Sequence, residues 1–264
     1  MQCFARVVRA TQLLSVFGLL LSGPFANAAD IHVLATTALK PAFEKMAADF
    51  ESSTRHRLIF SWGASYGAAP DALPVRIKSG EVVDVAIMLS PALDELVRSG
   101  YLFADTKVDL ATSRVGLAIK AGALQPDIST ADNLRSVLLA ARSVAFSSGV
   151  SGVYVARTLF PQLGIADRLK PKSVIVEAPE LVGHALMRGD AEVGLQQMSE
   201  LLAVPGIHVV GPLPDAAQNV NVIAAAVAEN AVQPHAAQAW INYLSTSPAL
   251  QVLKHSGFDV TAVQ

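Results

Sequence analysis

Four short stretches of the sequence gather side chains that can hold a negative charge without carrying a positive one. They are Thr36-Thr37-Ala38, Ser61-Trp62-Gly63-Ala64-Ser65-Tyr66-Gly67, Ser147-Ser148-Gly149-Val150-Ser151-Gly152 and Gln196-Gln197-Met198-Ser199. Hydroxyls and primary amides donate hydrogen bonds to an anion. Small residues beside them let backbone N–H groups approach it closely. Where such a stretch opens a helix, the first N–H groups are unpaired and the helix end carries a partial positive charge. Each such end contributes about 0.3–1 kcal/mol when exposed and up to about 2 kcal/mol when partly buried. Taken singly, each stretch reads better as a helix cap or a turn than as a ligand site. Their coincidence at one sheet edge points to a ligand. Thr36, Thr37, Ala38, Ser65, Tyr66, Ser151, Gly152, Gln196 and Gln197 are therefore the candidate binding residues. Proton transfer on such a ligand needs an acid or base at the same edge, and the candidates are Glu200, Glu180, His184 and Tyr66. None sits in a catalytic signature.

Other chemistries find no pattern. The six histidines (His32, His56, His184, His208, His235 and His255) show no metal-ligand spacing, and no metal is expected. No nucleophile elbow, phosphate loop or dinucleotide fingerprint is present, and no cofactor is expected. Trp62 could floor a carbon-based ligand, though packing is the favoured role.

The elements that must position these stretches alternate along the chain. Continuous apolar runs, the mark of buried strands, fall at Ile31–Ala35, Leu58–Phe60, Val82–Met88, Val115–Ile119, Val144–Phe146, Val174–Val176, Val193–Leu195, Ile207–Val210 and Val220–Val227. Amphipathic helical stretches lie between most of them: Leu39–Phe50, Pro91–Val97, Val153–Leu159, Leu181–Met187 and Ala236–Leu244. This alternation predicts an α/β protein with parallel sheets covered by helices, and it places the strand-to-helix loops at one edge. Asp109–Ser113 and Gly211–Pro214 read as polar breaks. Crossing between lobes at both would give a clamshell, with 29–110 plus 215–264 as lobe I and 111–214 as lobe II. One continuous sheet is the alternative, and periodicity does not separate the two.

Residues 1–28 read as a cleavable export signal: Arg6 and Arg9, the apolar run Leu13–Leu21, and Ala26-Asn27-Ala28. The run is shorter than the roughly 20 apolar residues of a membrane span, so a soluble periplasmic product is expected. The sole cysteine, Cys3, precedes the run and cannot act as a lipid-anchor cysteine at the cleavage point. Removing the two arginines leaves 18 Lys and Arg against 22 Asp and Glu, a net charge of −4. With no basic excess or stripe, nucleic acid is excluded as a partner. A monomer is expected.

At the four loops the chain resembles the periplasmic molybdate-binding family of ABC-importer receptors. The matching stretches are Val33–Leu39, Phe60–Ser65, Val83–Ile87, Ser151–Tyr154 and Gly189–Gly194. The resemblance implies a two-lobed (type II) periplasmic-binding-protein fold with two hinge crossovers, a cleft between the lobes and ABC importer membrane subunits as partners. It carries a second-loop serine onto Ser65 and third-loop backbone amides onto the neighbourhood of Ser151. The family's first-loop serine falls at Ala38, and its tyrosine falls near Gln197. Two hydroxyl donors are thus missing or shifted, which argues against molybdate itself. The stretch Gly194–Ile207 is similar to a divergent branch that includes a periplasmic aconitate isomerase, and amide donors suit a tri- or dicarboxylate better than a small oxyanion. Arg76, Arg114, Arg157 and Arg188 are candidate carboxylate partners. The resemblance thus implies a periplasmic solute-binding protein that captures a small anion, with aconitate isomerisation on the same scaffold as the alternative.

Overall fold

Each of the nine apolar runs forms a strand, and two further strands have no such run. The computed structural model describes residues 28–260; the expected export signal up to Asn27, with Cys3, lies outside them. In chain order the strands are β1 (Asp30–Thr36), β2 (Arg57–Gly63), β3 (Val85–Leu89), β4 (Val108–Ser113), β5 (Val115–Lys120), β6 (Val144–Ser147), β7 (Ser173–Val176), β8 (Val193–Gln197), β9 (Ile207–Pro212), β10 (Asn221–Val227) and β11 (Phe258–Asp259). They form two sheets, ordered β11-β4-β10-β3-β1-β2 and β7-β6-β8-β5-β9. The chain passes from the first sheet to the second between β4 and β5, across Arg114. It returns between β9 and β10 through Leu213–Val220.

The sheets are mixed rather than parallel throughout. β1 pairs parallel with β2 and β3, and β6 parallel with β7 and β8, whereas β10 and β5 run antiparallel to their neighbours. The antiparallel strands are the first of each sheet after a crossover between the two. β4 occupies the stretch read as a polar break, and its pairing with β10 and β11 carries the first sheet to Ser113, past the expected boundary at 110. Its burial alternates in part, so it shows no continuous apolar run.

Helices cover both sheets. Lys40–Thr54 buries Ala42, Phe43, Met46 and Phe50 at helical spacing, and Pro234–Leu244 buries Trp240, Ile241 and Leu244. Their rings interlock: Phe43 and Phe50 meet Trp240 edge-on at 5.4 and 5.0 Å, and Phe60 stacks on Trp62 at 5.1 Å. This cluster holds the first helix, and with it the Thr36–Ala38 turn, against β1 and β2. Asp84 adds a polar pin at zero exposure, its two carboxylate oxygens accepting the His32 and Gln233 N–H groups at 2.8 Å each. A carboxylate buried this deeply persists because both oxygens are paired.

In the second sheet, a helix begins at Val150 and continues through a π-turn at Val155–Leu159 to Gln162. The Phe160 N–H reaches back five residues to the Val155 carbonyl, just before Pro161, which has no N–H to give. Among the described residues no helix is long and apolar enough to cross a membrane.

Candidate functional site

A cavity of about 530 Å³ opens between the sheets, at the carboxyl ends of β1, β2, β3, β6 and β8. That is where open α/β sheets bind ligands. Thr36, Thr37, Ala38, Ser65, Ser151, Gln196 and Gln197 all line it. The segments holding them come from both sheets and from four separate strand ends. Two candidate residues do not line it. Tyr66 is 44% exposed and turns outward, with its phenol beside the Ala92 backbone. Gly152 is buried behind the loop rather than in the wall: a Cβ there would stand 1.5 Å from the Ser147 carbonyl oxygen. Its role is to let the helix turn fold back onto β6.

The helix starts at this cleft lack side-chain caps. Thr36 before the turn into Lys40–Thr54, Gly149 before Val150, and Leu181 before Val182–Arg188 each cap without a side-chain hydrogen bond. The Val182 N–H is instead taken by the Gln196 side chain, while the turn at Thr37 and the helix at Val150 keep first-turn N–H groups and a partial positive charge beside the cleft. Thr37 Oγ1 donates to the Gly63 carbonyl at 3.4 Å, and Ser147 and Ser151 share a hydroxyl–hydroxyl bond at 3.2 Å. Gly63 is required by close approach, since a Cβ there would lie 2.3 Å from the Asp71 carbonyl oxygen.

Three side chains at the cleft have their acceptor atoms occupied by the scaffold. Ser65 Oγ accepts the Leu89 N–H at 3.1 Å, which leaves its proton free to donate. Gln196 Oε1 accepts the Val182 N–H at 2.8 Å, and Gln197 Oε1 accepts the Ser113 hydroxyl at 2.8 Å. Both amides are buried, at 2% and 7% exposure. Ser113, which also lines the cleft, escaped the sequence reading because it sat in the supposed break.

Among the described residues no Lys, Arg or His lines the cavity; its charged residues there are Asp71, Glu180 and Glu200. The arginines considered as carboxylate partners are engaged elsewhere or lie off the cleft. Arg76 pairs with Glu81, Arg114 with Asp215 and Asp259, and Arg188 with Glu180 and Asp190. Arg157 does not line it. Glu180 is held by Arg188, and His184 is not in the wall. Glu200 differs from both. Burial pushes its carboxyl up to about 7, against the opposing pull of the Gln196 side chain and the Gln197 backbone. It lines the cleft, and its pKa is pushed toward neutrality. Among the described residues no group of acidic, His or Cys side chains is arranged to hold a metal.

Comparison with known proteins agrees with this architecture. The family described as bacterial extracellular solute-binding protein matches residues 31–259. An aconitate isomerase from Pseudomonas sp is 37% identical over 234 residues, covering 89% of each chain. A molybdate-binding protein from Mycobacterium bovis is 25% identical, covering 90% of this chain and 87% of its own. Among solved structures, the Azotobacter vinelandii periplasmic molybdate-binding protein superposes with a TM-score of 0.68 at 19% identity, covering 88% of this chain and 99% of that one. These structures share the two-lobed fold.

Proposed function

Because the chain belongs to the bacterial extracellular solute-binding protein family, we propose that its solute is a small carboxylate held in the cleft between the lobes, and that the solute is aconitate, whose double bond the cleft shifts. The carrying observation is Glu200. It is a cleft carboxyl with its pKa pushed up to about 7, set among neutral donors. A general acid–base group works best when its pKa lies near the operating pH.

The chemistry balances with one proton. As carboxylate, Glu200 takes a proton from the substrate methylene, and that C–H bond breaks. The electron pair spreads through the existing double bond toward the far carbon and the flanking carboxylates. Glu200, now protonated, gives that proton to the former vinyl carbon as the new C–H bond forms, and the double bond comes to rest one position along. Ser65, Gln196 and Gln197 donate to the carboxylates on which negative charge gathers, the stabilisation this step needs. The aconitate isomerase among the relatives supports the substrate assignment.

A second reading keeps the cleft and drops the chemistry: a periplasmic receptor that delivers the same anion to the membrane subunits of an ABC importer. The family assignment and the uncharged donor set favour it.

The test incubates purified protein, freed of its export signal, with cis- or trans-aconitate and resolves the isomers by chromatography. Interconversion is the expected result. Binding without interconversion overturns the isomerase and leaves the receptor, and failure to bind either isomer overturns the aconitate assignment altogether.

A further inference from the structure

We propose that Ser113 is a positioning residue that locks the Gln197 amide with its NH2 group facing the cleft, so that this point of the site accepts only ligand atoms that take hydrogen bonds. The inference rests on the anion reading above and deepens it by naming what sets the donor pattern.

Gln196 shows the principle without ambiguity. Its Oε1 accepts a backbone N–H, from Val182 at 2.8 Å. That group can only donate, so the amide orientation is fixed and its NH2 must face the other way. At Gln197 the partner is the Ser113 hydroxyl, 2.8 Å from Oε1. A hydroxyl can donate or accept, so the far side of the amide decides. Gln197 lines the cleft, whose charged residues are all acidic. A reversed amide would aim its carbonyl at any bound anion. The hydroxyl therefore donates, and the NH2 looks inward.

The fold keeps the two partners together. Ser113 is the last residue of β4, in the first lobe, and Gln197 the last of β8, in the second. Val115 pairs with Gln197 across the ladder, and the Met198 N–H donates to the Arg114 carbonyl at 2.9 Å. The bond thus sits at the crossover itself, where movement of the lobes separates atoms least. Ser113 is 1% exposed, so water has little access to replace it.

The test compares Ser113→Ala and Ser113→Thr by two measurements. The first is the affinity for propane-1,2,3-tricarboxylate, a saturated analogue with no double bond to shift. The second, made without ligand, is the side-chain amide NMR of Gln197. The alanine variant should bind about tenfold more weakly and lose the exchange protection of the Gln197 NH2 group. Threonine, which keeps the hydroxyl, should restore both. Should the alanine variant not fold, Ser113→Cys, of similar size with a weaker donor, carries the same expectation. Unchanged affinity and an unchanged amide signal in the alanine variant, or a threonine variant as impaired as alanine, overturns the proposal. If the wild type does not bind the analogue, the tricarboxylate reading falls and the NMR comparison alone decides Ser113.

Discussion

Replacing Glu200 with glutamine tests the electrostatics of the cleft without any ligand. The glutamine has nearly the shape of the protonated acid and never ionises. In the unfolded chain the carboxyl titrates at its ordinary 4.5, and in the folded protein at about 7. Below pH 4.5 both states hold the proton, so the wild type and Glu200→Gln should be equally stable, apart from any fixed difference between acid and amide. Between those two values the folded state holds a proton that the unfolded state has released, so wild-type stability falls as pH rises. Above pH 7 the loss is complete. A shift of this size, at about 1.4 kcal/mol per pH unit, corresponds to roughly 3 kcal/mol. For a chain of this length that is about 6–12 °C in Tm. Melting both proteins at pH 4.5, 6 and 8 cancels every other titrating group. The variant's advantage should grow with pH and level off by pH 8. A difference independent of pH would mean that Glu200 ionises freely in the folded protein, and the acid–base role assigned to it would go too.

Three further outcomes follow from the same geometry. Ser65→Ala removes the acceptor of a buried backbone N–H and a donor to the ligand, and should cost about 1–3 kcal/mol in stability or binding; a superimposable melt and titration would place the site elsewhere. Gly152→Ala forces a methyl group to within 1.5 Å of the Ser147 carbonyl and should destabilise by about 1–3 kcal/mol, weakening anion binding as the Ser147–Ser151 loop shifts; calorimetry of both variants checks this. For pH, anion affinity should decline above about 7 while isomerase turnover rises through the same value, because binding favours the protonated Glu200 and proton abstraction requires the ionised one. Parallel pH profiles of the two would contradict that assignment.

The strands and the loops that line the cleft were legible because burial and strand-to-helix turns leave local marks. Runs such as Val193–Leu195 are apolar throughout since both faces of the strand are covered, and hydroxyls before a helix mark its start whatever they bind. What escaped depends on non-local pairing. β4 lies between β10 and β11, and no local signal shows that Asp109–Ser113 will find partners more than a hundred residues away. Ser113 was lost with it, although its hydroxyl sets the Gln197 amide. Gly152 and Tyr66 illustrate the opposite error. Their types fit a ligand loop, but only the three-dimensional path shows one packed behind the wall and the other turned from it. The arginines were overrated for a related reason: a formal charge is visible in sequence, while the carboxylates already engaging Arg76, Arg114 and Arg188 are not.

On the proposed reading, a cleft with no basic side chain among the described residues, and lined by three acids, has to hold an anion in a protein with an acidic excess. The net charge matters little, since exposed charges are screened beyond about 8–10 Å at physiological salt. The three acids matter more, and each is dealt with differently. Glu180 is countered by Arg188, Asp71 lies at the exposed rim, and Glu200, with its pKa raised to about 7, still holds its proton about half the time at neutral pH. Protonated, Glu200 changes from a repulsive charge into one more donor. Hydrogen bonds to a charged acceptor are worth about 1.5–3 kcal/mol each, so Ser65, the two amides and the open helix ends supply enough attraction without a fixed cation. Neutral donors also suit the turnover proposed above. A guanidinium clamped to a carboxylate would stabilise substrate and product alike, which lowers KM without raising kcat, whereas neutral donors strengthen most as charge builds on the oxygens during proton transfer. On the isomerase reading proposed above, the burial that raises the Glu200 pKa would serve binding and catalysis through one group, in its two protonation states.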